Sequence, residues 1–173
     1  MKKYYKLVLA LGLVILLSQI LLLLDFKKPL KGKIDYLVIN KNDRELLVFN
    51  KNNKLLKKYK IALGFESKGK KEVQGDGKTP EGTYFINDKN PNSIAYKNLG
   101  ISYPNSADLQ NSKLLGKPTG GDIKIHGLMN KWWFIGKIHC LFNWTNGCIA
   151  VSNSEIDELY NKVPIGTKII INP

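Results

Sequence analysis

A long apolar run near the N-terminus constrains this chain more than any other feature. Residues 7–24 are interrupted only by Gly12, Ser18 and Gln19, and three lysines precede them. A helix of this length spans roughly 27 Å at about 1.5 Å per residue, close to the roughly 30 Å hydrocarbon core of a bilayer. We therefore expect a transmembrane segment here and a folded domain in the remainder.

The end of this run indicates an anchor that stays attached to the protein. A cleaved signal peptide needs small residues before the cut, whereas three leucines and Asp25 end the run, and no lipobox cysteine is present. Lysines flank both ends, so charge alone does not set the orientation. The expected order is a short cytoplasmic tail (1–6), a transmembrane signal anchor (7–24), a basic linker (25–33) and one folded domain (34–173).

The domain alternates short β-branched stretches with turn-forming residues, a pattern that predicts strands. We expect strands within 35–40, 45–50, 54–64, 83–88, 122–127, 147–151 and 167–172. Residues 65–82 read as a basic, glycine-rich loop. Residues 89–122 carry asparagine, serine, glycine and proline throughout, so we expect loops with short pieces of strand there.

Residues 152–163 are the only convincing helix outside the anchor. Ser152, Asn153 and Ser154 offer N-caps, acidic residues load the first turns, and Pro164 ends the pattern. We expect Asn153 to cap this helix. The predicted fold class is mainly β, a sandwich or curled mixed sheet with one packed α-helix, preceded by an N-terminal transmembrane helix.

The excess of positive charge favours an anionic partner other than a nucleic acid recognised by its base sequence. The formal net charge is +13, and of the 27 basic residues only Arg44 is an arginine. Nucleic-acid readers rely on arginine for bidentate contacts, so we expect no nucleic-acid partner. A lysine-rich surface suits a membrane or an acidic wall polymer. A lysine-rich proteome would give the same composition.

Two histidines and two cysteines carry the reactive chemistry. His126 ends a predicted strand, and Cys148 follows Gly147 at the start of another. A free thiol with a pKa of about 8.5 is only about 3% thiolate at pH 7, so Cys148 needs a base such as His126 to act as a nucleophile. A disulfide between Cys140 and Cys148 is the equal alternative from residue chemistry alone. His139 reads as structural or as part of a covering loop.

Three motifs, in order, carry a resemblance to a known family. They are "GDGKTPEGTYFI" (75–86), "GGDIKIHG" (120–127) and "TNGCIAVSN" (145–153). With them the domain resembles the L,D-transpeptidase (YkuD-like) catalytic domain over 35–173. This resemblance implies transfer chemistry on peptidoglycan stem tetrapeptides in cell wall biogenesis, with no metal or organic cofactor. It also implies that the domain lies on the extracytoplasmic side of the membrane. The sequence gives no prediction of oligomeric state.

The resemblance also implies a role for each site residue. Cys148 would be the nucleophile that forms a thioester, and His126 the general base and acid. The Gly127 backbone carbonyl would orient the imidazole, and the Gly147 and Cys148 N–H groups would form the oxyanion hole. We also expect three neighbours to contact the substrate: Trp144, Thr145 and Asn146.

Two departures from the most frequent family pattern leave the reaction outcome open. Asn146 stands where a histidine is frequent, and Ala150 where an arginine is frequent. This matches the Gly-Cys-Ile-Ala branch, which includes both transpeptidases and peptidases that trim stem peptides. The alternatives are an L,D-carboxypeptidase or peptidoglycan hydrolase of the same fold, and a non-catalytic wall-binding module with a Cys140–Cys148 disulfide. The aromatic residues between His126 and Cys148 would form either a lid or a satellite core; they are Trp132, Trp133, Phe134, Phe142 and Trp144.

Overall fold

The computed structural model describes residues 11–14 and 29–173. Residues 11–14 are helical. The rest of the predicted anchor over 7–24, the predicted tail 1–6 and the first part of the predicted linker lie outside the described residues. Within the two described ranges, no helix has the length and apolar character needed to cross a membrane.

Residues 29–173 form a mainly β domain with two α-helices and a 3₁₀ segment. The strands are β1 (Tyr36–Asn40), β2 (Glu45–Phe49), β3 (Leu55–Lys60), β4 (Gly82–Ser93), β5 (Tyr96–Ile101), β6 (Lys124–His126), β7 (Ile149–Ala150) and β8 (Lys168–Asn172). The helices are α1 (Ser106–Leu114) and α2 (Asn153–Lys162), and the 3₁₀ segment is Asn130–Leu141.

All eight strands belong to one mixed sheet, in the order β3-β2-β1-β8-β4-β5-β6-β7. The β1–β8 and β6–β7 pairs are parallel, and the other pairs are antiparallel. Just past β3, Ala62 exchanges backbone hydrogen bonds of 2.9 and 2.8 Å with Ala150 of β7. The sheet therefore curls until its two ends meet, and the prediction of a mainly β mixed sheet is confirmed.

One hydrophobic core lies inside this curl. The strands β1 and β2 bury every second residue, as the alternation in their sequences predicts. The apolar face of α2 packs into the same core through Ile156 and Leu159. Each fully buried aliphatic side chain contributes about 1.5–3 kcal/mol, so this face fixes α2 beside the strands that carry the site.

The helix α1 is not predicted by the sequence, and the expectation of a single helix is wrong. This helix has no apolar stripe: its buried residues are Asp108 and Ser112. Its start is instead defined by Asn105 and Asp108, whose side chains each accept the other's backbone N–H at 3.0 and 3.1 Å. A helix that depends on a capping box shows no apolar periodicity to reveal it.

The domain also begins earlier than predicted. Leu30, assigned to the linker by sequence, is 1% exposed and belongs to the core. Its backbone N–H donates to Glu158 on α2. The packed domain therefore extends at least to Leu30, beyond the predicted boundary at residue 34.

Candidate active site

The parallel strands β6 and β7 bring the two predicted reactive residues together. His126 lies opposite Ala150, and Cys148 directly precedes β7. His126 and Cys148 line one cavity of about 450 Å³.

The His126 ring is held in one orientation. Its Nδ1 lies 2.6 Å from the Gly127 carbonyl oxygen. A carbonyl can only accept, so Nδ1 carries the proton and Nε2 is left as the basic nitrogen. Burial lowers the pKa of His126 from 6.5, although the Gly127 carbonyl opposes the shift and Lys124 adds to it. The imidazole is therefore neutral near pH 7.

The surroundings of Cys148 favour its neutral thiol form. Its Sγ donates to the Asp122 carbonyl oxygen at 3.6 Å. Burial raises the pKa of Cys148 above 9.0, against a smaller opposing effect of the Lys124 backbone N–H. The surroundings of Cys148 thus favour the protonated thiol over a resting thiolate.

The turn before Cys148 requires glycine. Gly147 has a φ of +120°, and a Cβ there would lie 2.5 Å from the Lys78 carbonyl oxygen. Its N–H donates to Thr145 Oγ1 at 3.2 Å, while Thr145 Oγ1 donates to the Cys148 carbonyl at 2.7 Å. Of the two predicted oxyanion donors, the Gly147 N–H is thus engaged within the turn. No hydrogen bond between described residues has the Cys148 N–H as its donor.

The predicted substrate-contacting residues line the cavity in different ways. Thr145 is buried and its hydroxyl serves the turn, whereas Asn146 is exposed and also lines an adjoining cavity of about 380 Å³ with Lys71. Trp144 packs edge-on against the His126 ring, with centroids 5.7 Å apart. Its Nε1 donates to His139 Nδ1 at 3.5 Å.

The aromatic set divides: Trp144 lines the cavity that holds Cys148, whereas the three members in the 3₁₀ segment form neither a lid nor a satellite core. Trp132, Trp133 and Phe134 are 57%, 67% and 69% exposed. None of the three lines the cavity that holds Cys148. The cavity is therefore open to water in this conformation.

No disulfide joins Cys140 and Cys148, so the disulfide considered as an alternative is not formed. The Cys140 thiol donates to the Lys60 carbonyl at 3.3 Å and lies 3.2 Å from His139 Nε2. Cys140 thus packs at the end of β3, while Cys148 opens into the cavity. Over the described ranges, no three His, Cys, Asp or Glu side chains are grouped so as to hold a metal ion.

Two asparagines at the site are not predicted by the sequence. Asn98 of β5 lies opposite His126 and lines the cavity, yet it is 2% exposed and its Oδ1 has no hydrogen-bond partner in the described structure. Asn153 does not cap α2 as expected. Its Oδ1 accepts the Leu128 N–H at 2.8 Å, because Ser152 already occupies the N-cap position. Neither role leaves a local sequence signal, since both depend on contacts between distant segments.

Comparison with known proteins decides the family. The model of the L,D-transpeptidase catalytic domain, YkuD, matches residues 34–171. This chain belongs to that family. The match covers the three motifs, both histidines and both cysteines, so the resemblance inferred from short strings extends over the whole described β domain from β1 to β8.

Two curated relatives share its sequence. YafK of Escherichia coli (strain K12), provisionally named an L,D-transpeptidase, is 32% identical over 144 residues, 80% of this chain and 51% of YafK. YqjB of Bacillus subtilis (strain 168), with the same provisional name, is 28% identical over 148 residues, 84% of this chain and 74% of YqjB. The chain thus spans about half the length of YafK.

Solved structures share the fold. The helical cell shape determining protein Pgp2 from Campylobacter jejuni superposes with a TM-score of 0.62 at 27% identity, over 80% of this chain and 47% of Pgp2. An L,D-transpeptidase from Mycobacterium smegmatis gives 0.52 at 15% identity, over 82% of this chain and 60% of that protein. The second likeness is one of fold alone.

Proposed function

We propose that this protein is a cysteine L,D-transpeptidase that acts on peptidoglycan stem tetrapeptides through a Cys148 thioester. One observation carries the proposal. His126, with Nδ1 fixed on the Gly127 carbonyl, and the Cys148 thiol line a single cavity of about 450 Å³ in a domain of this family.

The neutral thiol and neutral imidazole define the acylation step. As Sγ attacks the carbonyl carbon between the diamino acid and the terminal D-alanine, His126 Nε2 takes the thiol proton. The Cys148 N–H donates to the oxygen that becomes negative, a contact that is strong in a partly buried site. The C–N bond then breaks, the imidazolium gives its proton to the amine of D-alanine, and the thioester remains. General base catalysis of this kind contributes about 10²–10⁴-fold.

The second step resolves the thioester. An acceptor amine attacks the thioester carbonyl, His126 takes a proton from that amine, and Sγ regains a proton as the C–S bond breaks. Water can replace the amine, which gives an L,D-carboxypeptidase. The exposure of Trp132, Trp133 and Phe134 favours this alternative, because they do not cover the thioester position against water.

The proposal extends to the place where the enzyme acts. Peptidoglycan lies outside the cytoplasmic membrane, so the domain would be extracytoplasmic and the apolar run over 7–24 would anchor it to the membrane. The formal net charge of +13 suits a substrate rich in carboxylates and phosphates. A phosphatase fused after residue 173 would be active in intact cells if this orientation is right, and inactive if the domain is cytoplasmic.

One assay tests the reaction. The full chain in detergent is incubated with a disaccharide-tetrapeptide, and the products are identified by mass spectrometry. Crosslinked dimer supports the transpeptidase, and tripeptide with free D-alanine supports the carboxypeptidase. Cys148→Ala should abolish either product, and Cys140→Ala should retain it. No product from the wild-type chain, or full activity in Cys148→Ala, would overturn the thioester mechanism.

A further inference from the structure

The peptide group between Gly127 and Leu128 is hydrogen-bonded at both ends. Its carbonyl oxygen lies 2.6 Å from His126 Nδ1, and its N–H donates to Asn153 Oδ1 at 2.8 Å. The two bonds share one planar peptide unit. A chain of hydrogen bonds therefore runs from the Asn153 carboxamide through the peptide to the His126 ring.

Asn153 is not needed for the start of α2, where it lies. The N-cap position belongs to Ser152, whose backbone N–H and hydroxyl both donate to the Glu155 carboxylate, at 3.1 and 2.8 Å. This pair completes the start of the helix without the Asn153 side chain. The Asn153 carboxamide instead accepts the N–H of the peptide that follows His126 and Gly127.

Glycine at position 127 allows the carboxamide to approach so closely. A Cβ on Gly127 would lie 2.8 Å from Asn153 Oδ1 and 3.0 Å from Ile156 Cγ2. Gly127 also donates its own N–H to the Lys97 carbonyl at 3.1 Å. Gly127 of the "HG" pair therefore has two functions. Its carbonyl contacts the His126 ring, and its lack of a side chain lets Asn153, in the first turn of α2, approach closely.

The orientation of this peptide decides which nitrogen of His126 is basic. A planar peptide turns as a unit, so rotation of the Leu128 N–H away from its acceptor would also turn the Gly127 carbonyl away from Nδ1. Donation by the N–H also polarises the carbonyl and strengthens the bond it accepts. Without that bond, nothing in the described contacts of the ring keeps the proton on Nδ1.

We propose that Asn153 is a positioning residue, which holds the Gly127 carbonyl and through it keeps the His126 proton on Nδ1, leaving Nε2 as the base. The catalytic consequence rests on the function proposed above. The tautomer itself is a property of the free protein. The two parts can therefore be tested separately.

The test compares three variants of the full chain in detergent. Asn153→Leu removes the acceptor while keeping the branching and number of heavy atoms of the side chain, and Asn153→Asp keeps an acceptor. Asn161→Leu is the matched control, because Asn161 is an exposed asparagine on the same helix. The chain has only two histidines, so ¹⁵N labelling of histidine gives a simple spectrum from which the tautomer of His126 is read.

The expected result differs between the variants. Wild type, Asn161→Leu and Asn153→Asp show the Nδ1–H tautomer, and Asn153→Leu shows a mixture of the two. D-alanine release from the disaccharide-tetrapeptide falls about 10- to 100-fold in Asn153→Leu, as for other residues that orient a functional histidine. The Asp variant retains activity within about threefold.

Two outcomes would overturn the positioning role. One is an unchanged tautomer in Asn153→Leu, whatever its rate. The other, decisive if Asn153→Leu does not fold, is an Nδ1 proton resonance that stays in place in Asn153→Asp, since a carboxylate acceptor should strengthen the chain and shift that resonance downfield. A wild-type chain with the Nδ1–H tautomer but no D-alanine release would instead contradict the proposed function alone.

Discussion

At the scale of single residues, the site is a neutral thiol beside a neutral imidazole. Burial acts in opposite directions on the two pKa values, because it disfavours the charged form of each group: cationic for His126, anionic for Cys148. The environment of Cys148 therefore favours the thiol over the thiolate, which is the form that alkylation and oxidation require.

This charge state predicts the pH dependence of kcat/KM. In the proposed mechanism the competent form has neutral His126 and protonated Cys148; burial lowers the pKa of His126 from 6.5 and raises that of Cys148 from 9.0. We expect kcat/KM to be flat between pH 6.5 and 9.0, to fall in acid as His126 is protonated, and to change in base as Cys148 ionises. A pH series of D-alanine release checks this. A rate that rises steadily between pH 6.5 and 9.0 would show instead that a titrating thiolate is the reactive form.

The buried Asn98 Oδ1 atom has no hydrogen-bond partner among the described residues. We therefore expect Asn98 to lower the stability of the domain while supporting its activity. A buried polar atom without a partner costs about 1–3 kcal/mol, and the Asn98 Oδ1 is such an atom. Asn98→Leu should therefore raise the free energy of unfolding by about 1 kcal/mol in urea titrations. Because Asn98 lines the cavity beside His126, the same change should lower kcat/KM. A variant that is less stable than wild type would contradict this account.

At the scale of elements, the loop before β4 is organised by one carboxylate. Asp76 accepts the backbone N–H groups of Glu72, Val73 and Lys78 at 2.8–3.1 Å. Its other partner is the buried Lys71 ammonium at 2.8 Å. This loop lines the cavity that adjoins the one holding Cys148, so the "GDGK" motif has a structural role in shaping the candidate site.

Removing that carboxylate should destabilise the domain strongly. Lys71 is 4% exposed, so Asp76→Asn leaves a buried charge unpaired and should cost about 3–5 kcal/mol in chemical denaturation. Asp43→Asn, at an exposed position, is the control and should change stability little. The double variant Asp76→Asn/Lys71→Leu should recover part of the loss. A single variant as stable as the control would refute the role of the pair.

The same carboxylate predicts acid sensitivity. Burial raises the pKa of Asp76, but the hydrogen bonds from Lys71 and the loop outweigh it and hold the pKa below 3.8. The stabilisation is therefore complete above about pH 3.8 and is lost as the pH falls through the lower folded value.

At the scale of the whole molecule, the curled sheet and α2 are tied together at the N-terminal edge of the domain. Leu30 lies in the core, and its N–H donates to Glu158 of α2. Glu158 also accepts the Tyr59 hydroxyl at 2.7 Å and pairs with Lys57, so β3, α2 and the incoming chain meet there. Any membrane anchor before residue 29 would therefore be joined to the domain at a well-packed position.

This packing predicts that Leu30 belongs to the domain energetically. Leu30→Ala should lower the free energy of unfolding by about 2–5 kcal/mol, because it empties a fully buried site. Leu55→Ala, at a leucine that is 47% exposed, should cost much less. Urea denaturation of the full chain in detergent measures both. If the two changes lower the free energy of unfolding equally, Leu30 would belong to the linker and not to the folded domain.

The elements with strict periodicity were predictable from the sequence. Alternation in β1 and β2 and the apolar face of α2 each arise from burial of one side, which leaves a direct pattern in the residues. The helix α1 left no such pattern, because its buried residues are polar and its start depends on a capping box. The strand β7 was predicted within 147–151, but its pairing partners, Ile125 and Ala62, lie in distant parts of the chain and left no local pattern.

By itself the sequence determined the mainly β character of the domain, the family and the candidate pair of Cys148 and His126, because each rests on residue types at regular spacing. Only the tertiary structure showed that burial favours the neutral form of both groups, that Cys140 lies apart from Cys148, that Asn98 lines the cavity and that Asn153 accepts the Leu128 N–H. These properties depend on burial and on hydrogen bonds between segments far apart in the chain, such as Leu128 with Asn153. Local sequence does not encode such contacts, since they exist only once the sheet has curled and α2 has packed against it.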